Sequence, residues 1–188
     1  AARPRPSAAV VLWRRNQKKE IEVFLVRRSP ILRFMGGWHA FPGGGLSSAD
    51  LSISVEGAPL AVDSPYDNDD VPGADGVELR PTLIEGLLSC TFRELFEETG
   101  VLAYASQTHP SPEELASVRR KLLDRKASFE QILSRLDVEL DASVLTYAGR
   151  WVTPPFSTIR FDARFFLLEW PENRPIQPEV WIGELDQG

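Results

Sequence analysis

The sequence predicts an α+β fold in a single domain spanning residues 1–188, on three observations. Short segments rich in β-branched and aromatic residues stand at both ends of the chain, at 8–14, 21–27, 146–152 and 160–168. Between them, apolar residues at helical spacing mark one helix that carries a cluster of carboxylates. Two long excursions flank that helix, one acidic and containing Pro and Gly, the other helical. A chain of 188 residues is long enough to bury a proper core.

The first two strands, 8–14 and 21–27, are joined by the polar turn Asn16-Gln17-Lys18-Lys19. Trp38 to Phe41 forms a short strand that leads into the glycine turn Gly43-Gly44-Gly45. Residues 46–82 then hold Tyr66-Asp67-Asn68-Asp69-Asp70 and Pro72-Gly73, an excursion expected to have little regular structure. Asp67, Asp69 and Asp70 faintly suggest a calcium loop, but no spaced Glu completes it.

The helix comes next. Ile84, Leu88, Phe92 and Leu95 form its apolar stripe, and Gly100 reads as the left-handed residue that ends it. Gly86 is an unfavourable helix residue that nothing in the sequence accounts for. Glu94, Glu97 and Glu98 stand at i, i+3 and i+4, which puts them on one face at about 100° per residue. Like charges so close repel, and a solvated acidic face is the plain reading of such a cluster. A divalent cation reverses that argument, because converging hard oxygens are what Mg²⁺ or Mn²⁺ takes. Arg93 lies one turn before Glu97 and can pair with it.

These residues read Glu85-x7-Arg93-Glu94-Leu95-x-Glu97-Glu98-x-Gly100-Val101. The segment resembles the second half of the Nudix box, Gly-x5-Glu-x7-Arg-Glu-U-x-Glu-Glu-x-Gly-U, with U a bulky aliphatic residue. The opening glycine is found upstream, in Phe41-Pro42-Gly43-Gly44-Gly45. Residues 45–84 separate Gly44 from Glu85, 40 positions where the pattern has five, so the box is split by an insertion of 35. The resemblance implies an α/β/α sandwich with a mixed β-sheet, here with a long loop inside the box and a helical insertion after it at about 103–142. It further implies Mg²⁺ or Mn²⁺ held by Glu97 and Glu98 with a backbone carbonyl of Gly43 or Gly44. Glu94 would be a further ligand or the general base, Arg93 would orient Glu97, and Glu85 would anchor the helix entrance by pairing with Arg93.

A split box also resembles the Nudix subfamily that includes the peroxisomal coenzyme A diphosphatase of animals and its bacterial relatives. Ahead of the box, Phe24-Leu25-Val26-Arg27-Arg28-Ser29, Arg33, Gly37 and Phe41-Pro42-Gly43-Gly44 match that group's Leu-Leu-Thr-x-Arg-Ser motif at its spacing, with Phe-Leu-Val in place of Leu-Leu-Thr. Guanidinium groups bind phosphate oxygens in bidentate fashion, which suits Arg28 and Arg33 to a substrate with a pyrophosphate and a 3′-phosphate. Arg27 reads as an ordinary surface cation. The implied reaction gives 4′-phosphopantetheine and 3′,5′-ADP from coenzyme A. ADP-ribose, NADH, a nucleotide sugar or a non-catalytic binding role remain alternatives, because the box does not specify the groups flanking the pyrophosphate.

After the box, Ser111-Pro112-Glu113-Glu114 opens a helix with Leu115, Val118 and Leu122 on its apolar side. Ser128-Phe129-Glu130-Gln131 is a capping box for another, with Phe129, Ile132, Leu133 and Leu136 inward. Packing on the core is the expected role of this pair, with a cap over the active site or a dimer face as the alternatives. In the closing strands Phe161, Phe165 and Phe166 read as core, and Arg160 and Arg164 as secondary phosphate contacts. Nudix enzymes often recruit a late glutamate, for which Glu179 and Glu184 are available. The resemblance also implies a closing helix after the last strand, which is not expected within these 188 residues.

A net charge of −6 argues against a nucleic-acid surface, and a small nucleotide is the expected partner. One cysteine, Cys90, excludes an intrachain disulfide and suits a buried structural thiol in an intracellular protein, cytoplasmic or organellar. No apolar run approaches the roughly 20 residues that span a bilayer.

Overall fold

The computed structural model describes residues 2–31, 36–60, 81–104, 110–170, 177–180 and 185–187. The long first strand, β1 (Arg5–Arg15), organises the main sheet. Ala8, Val10 and Leu12 alternate onto one face, each 2% exposed or less. β2 (Ile21–Val23) pairs antiparallel with the C-terminal part of β1. On the N-terminal part of β1, the glycine turn pairs as β5 (Gly43–Gly45), also antiparallel. From Arg5 to Trp13, β1 lies parallel to β9 (Phe161–Glu169), which in turn pairs antiparallel with β8 (Leu145–Val152). The result is a mixed five-stranded sheet.

Register explains the parallel pairing of strands from opposite ends of the chain. It sets Val10 beside Phe166 and Leu12 beside Leu168, so both strands bury their apolar rows on one side. A bulge at Tyr147 to Gly149, where Gly149 has φ +133°, interrupts β8.

The segment predicted as one strand over 21–27 is two. Phe24 donates its N–H to the Leu12 carbonyl, and after it the chain leaves the main sheet. β3 (Val26–Arg28) then pairs with β4 (His39–Ala40) and β10 (Leu185–Gln187) in a second, three-stranded sheet. Apolar content alone does not reveal such a change of partner, because both halves remain extended.

The described first part of the excursion after the glycine turn, residues 46–60, holds more regular structure than its composition predicts. Ser48–Ser52 form a 3-10 turn closed by a reciprocal cap between Ser47 and Asp50. Further on, β6 (Val55–Glu56) pairs parallel with β7 (Leu140–Asp141), and Leu60 bridges to the edge of β8. Residues 61–80, including the Asp67-Asp69-Asp70 cluster, lie outside the described residues.

Helix α1 (Pro81–Thr99) carries the carboxylates. Leu88, Phe92 and Leu95 of its predicted stripe are buried, and Ile84 is half-buried. Leu87, Ser89, Cys90, Thr91 and Phe96 are buried as well, so burial extends well beyond one stripe. The reason is that α1 is covered by the sheet on one side and by the 3-10 turn and the helix at Pro112–Leu123 on others. Gly86 now has an account: a Cβ there would stand 2.6 Å from Leu51 Cδ2 and 3.3 Å from Leu46 Cδ1. Gly100, at φ +74°, ends the helix and donates its N–H to Phe96.

Helices α2 (Pro112–Leu123) and α3 (Phe129–Leu136) start where the caps place them. Ser111 Oγ accepts from Glu114 N–H at 3.2 Å and Ser128 Oγ from Gln131 N–H at 3.2 Å, each with the return bond at 2.9 Å. Leu115, Val118, Leu122, Phe129, Ile132 and Leu133 all join the core, which is the packing role expected of them. Among the described residues no helix is long and apolar enough to cross a membrane.

Candidate active site

The site is built where α1 crosses the glycine turn. Gly43 and Gly44 lie flat against Ala9 and Ala8 of β1, and a Cβ on Gly43 would overlap the Ala8 carbonyl. On its other side the turn faces α1. Gly43 donates its N–H to Glu98 Oε2 at 2.9 Å, and a Cβ on Gly44 would overlap the Glu94 carboxylate. Two of the three box carboxylates are thereby pressed against the turn, and Glu98 is 9% exposed.

Arg93 draws the acids together. Its Nη1 donates to Glu94 Oε1 at 2.8 Å and to Glu97 Oε2 at 3.2 Å. Its Nε and Nη2 donate to Asp50 Oδ1 at 2.7 Å and Oδ2 at 3.0 Å, and Nη2 also reaches the Gly45 carbonyl at 3.2 Å. Burial opposes the charge of Arg93, but the Asp50 hydrogen bonds and the Glu94 charge outweigh it and hold the group protonated.

The predicted pairing of Arg93 with Glu85 is therefore replaced by one with Asp50. Eight residues of helix span about 12 Å along the axis, too far for these side chains to meet along one helix. Glu85 is exposed, whereas the Asp50 side chain is fully buried beside Arg93. Sequence reasoning missed Asp50, although a signal existed: counted forward from Gly44, it stands after five residues, where the box has its first acid.

The electrostatics follow from burial. Removal from water pushes the Glu94 carboxyl up to about 7; Arg93 opposes the rise and Glu97 adds to it. Cys90 is buried, and its Sγ lies 3.7 Å from the Gly44 carbonyl and 3.6 Å from Arg93 Nη2. Burial and the adjacent Glu94 raise its thiol far above the ordinary range, which fits an inert structural role.

The donor set suits a hard divalent cation. It offers only oxygens, in three crowded carboxylates and the carbonyls of a turn that no side chain fills. Among the described residues no three of these acids converge on one point, because Glu94 and Glu97 turn to Arg93 and Glu98 to Gly43.

Other predicted residues fall variously. Arg28 is half-buried on β3, with its Nε buried and without a hydrogen-bond partner among the described residues. Arg33 and Glu184 lie outside the described residues. Glu179 is brought to the end of α1: its N–H donates to the Thr99 carbonyl at 2.7 Å, and its carbonyl accepts from Arg119 Nη2 at 2.9 Å. Arg119 also donates twice to the Glu97 carbonyl, at 3.1 and 2.9 Å.

Arg160 and Arg164 are 5% and 2% exposed. Arg160 is tied to the Thr153 and Ala2 carbonyls, and Arg164 pairs with Asp162. Both are held in the interior by these contacts, with Arg160 Nη2 and Arg164 Nε buried and without a hydrogen-bond partner among the described residues. Of the strand aromatics, Phe166 is in the core, while Phe161 and Phe165 are half-buried.

Comparison with known proteins places the chain in a family. No protein-family model matches the chain. A solved NUDIX hydrolase from Alicyclobacillus acidocaldarius superimposes with a TM-score of 0.70 at 30% identity, covering 97% of this chain and 76% of that one. The chain belongs to the Nudix hydrolase family. Within the family it resembles proteins named acyl-coenzyme A diphosphatase NUDT19. The human one is 30% identical over 94% of this chain and 55% of its own length, and that of Xenopus laevis 27% identical over 81% and 48%. The chain thus spans about half the length of the curated relatives it matches. The Nudix fold expected from the split box, an α+β architecture around a mixed sheet, is the fold found.

Proposed function

We propose that this Nudix chain is a metal-dependent hydrolase of the pyrophosphate linkage in a nucleoside diphosphate derivative, with coenzyme A or an acyl-CoA as substrate. The observation that carries the reading is the packing of Glu94 and Glu98 against the Gly43-Gly44 turn, with Glu97 joined to Glu94 through Arg93. The similarity to acyl-coenzyme A diphosphatases supports the choice of substrate.

Glu97 and Glu98 would hold Mg²⁺ or Mn²⁺ with a turn carbonyl, and Glu94 would be a further ligand or the general base. When bound, the metal neutralises charge on the phosphoryl oxygens and acidifies water. Glu94, with its carboxyl lifted to about 7, is matched to accepting a proton near neutral pH. Arg93 keeps Glu94 and Glu97 in place. Arg28, whose buried Nε lacks a partner among the described residues, would take a phosphate of the substrate. The products from coenzyme A are 4′-phosphopantetheine and 3′,5′-ADP, or the acylated phosphopantetheine from an acyl-CoA.

The test is phosphate-ester release from coenzyme A, dephospho-coenzyme A, ADP-ribose, NADH and a nucleoside triphosphate, with Mg²⁺ or Mn²⁺, beside a Glu97→Gln control. Metal-dependent cleavage strongest on coenzyme A and lost in the control is expected. Cleavage of ADP-ribose or NADH alone overturns the substrate. No turnover of any of them overturns the enzyme.

A further inference from the structure

We infer that Asp50 is the acid that positions Arg93 for catalysis, so that the insertion splitting the box begins after it, at Leu51. The inference rests on the hydrolase reading above and adds a residue to it. Counted forward from Gly44, residues 45–49 precede Asp50; counted back from Arg93, residues 86–92 follow Glu85. Removing residues 51–85, again 35, closes the pattern as Gly44-x5-Asp50-x7-Arg93. Two positions therefore compete for the first acid of the box. The structure discriminates between them by contact.

Asp50 meets Arg93 with both carboxylate oxygens, in the bidentate geometry that fixes a guanidinium plane. Its own position is set locally. Asp50 Oδ2 accepts the Ser47 N–H at 2.8 Å, and the Asp50 N–H donates to Ser47 Oγ at 3.4 Å. The 3-10 turn that carries it packs on α1 through Leu46 and Leu51, at the one place where α1 has a glycine, Gly86, to admit them. Arg93 then has Nη1 directed at both Glu94 and Glu97. Asp50 contacts neither of those carboxylates in any bond described, and it acts through Arg93: it is a positioning residue. The chain leaving Asp50 is also held at its far side, where Leu60 exchanges backbone hydrogen bonds with Leu145 and Tyr147. The inserted segment can thus lengthen without moving the acid, because Asp50 is anchored before the insertion starts.

The experiment compares Asp50→Asn, Asp50→Glu, Glu85→Gln, Arg93→Gln and the Asp50→Asn/Arg93→Gln pair in the full chain. Two readouts are taken: kcat and KM on coenzyme A, and Mn²⁺ affinity without substrate by electron paramagnetic resonance. Loss of an outer-shell hydrogen bond of this kind costs about 10–100-fold. Asp50→Asn is expected to lower kcat by about that factor, with KM within about threefold, and to weaken Mn²⁺ binding in step. Asp50→Glu should recover part of both, and Glu85→Gln should leave both within about twofold. Because Asp50 acts through Arg93, the pair should lose no more than Arg93→Gln alone.

Wild-type kcat and Mn²⁺ affinity in a folded Asp50→Asn overturn the inference, as does a loss that appears in Glu85→Gln instead. If Asp50→Asn does not fold, the pair, which leaves no buried guanidinium unmatched, decides the question by its Mn²⁺ affinity against Arg93→Gln. A further loss in the pair overturns the inference. An inactive wild type that binds Mn²⁺ refutes the hydrolase reading alone, since the affinity comparison still judges Asp50.

Discussion

Gly44 and Glu94 are in such close contact that the glycine has no room for a side chain on the helix side: an added Cβ would lie 2.5 Å from Glu94 Cδ. The obstructing atoms are the far end of a flexible side chain, so the fold can yield where the site cannot. Gly44→Ala is therefore expected to remain folded, with a cost of about 1–3 kcal/mol from overpacking. The displaced carboxylate should lower kcat by about 100-fold, the typical cost of a 1 Å misplacement. Thermal unfolding beside coenzyme A turnover checks both halves; unchanged turnover would show that Glu94 has no fixed position in the reaction.

Asp162 supplies a pH-dependent part of the stability. Burial raises its carboxyl, but the hydrogen bond from Arg150 and the charge of Arg164 outweigh burial and hold it below the usual aspartate range. Arg150 meets both oxygens, at 2.7 and 2.8 Å, and Arg164 adds a contact at 3.0 Å. A depressed folded pKa means that the contribution is complete above the unfolded value of about 3.9 and is lost as pH falls through the folded one. Asp162→Asn should cost about 3–5 kcal/mol near neutral pH, because it removes the carboxylate with which the buried Arg164 is paired. Denaturant titrations at neutral pH and below about pH 4 should show the difference between the two proteins shrinking on the acid side.

Arg119 clamps the end of the box helix. It bonds twice to the Glu97 carbonyl and once to that of Glu179, while burial lowers its pKa from the ordinary arginine value. Arg119→Leu removes both donors from the half-buried Glu97 carbonyl. A loss of about 1–3 kcal/mol is expected, with faster hydrogen exchange at Gly100 and Val101. Retention of wild-type exchange there would show that the helix end needs no clamp.

Gly86→Ala would ordinarily stabilise a helix interior by about 1 kcal/mol. Here the new methyl meets Leu51 and Leu46, so the gain is expected to vanish, with stability within about 0.5 kcal/mol of wild type or below. Urea unfolding measures it. A full gain would show that the 3-10 turn gives way without cost.

What the sequence by itself determined is whatever depends on neighbours along the chain. Ser111 and Ser128 announce their helices because a cap needs only the next three residues. Gly100 marks the end of α1 because a left-handed residue is required there and nowhere nearby. The spacing of Glu94, Glu97 and Glu98 puts them on one side of the helix because helical periodicity is local. Tertiary structure decided the relationships that cross long loops. Asp50 and Arg93 are 43 residues apart, and either Asp50 or Glu85 satisfied the spacing until packing brought one carboxylate into contact. Gly86 had no reason until Leu51 lay on it, and Asp162 met Arg150 only when β8 paired with β9. The physical reason is the same in each case. A contact between distant segments depends on how the whole core closes, and only local geometry can be read from a linear order of residues.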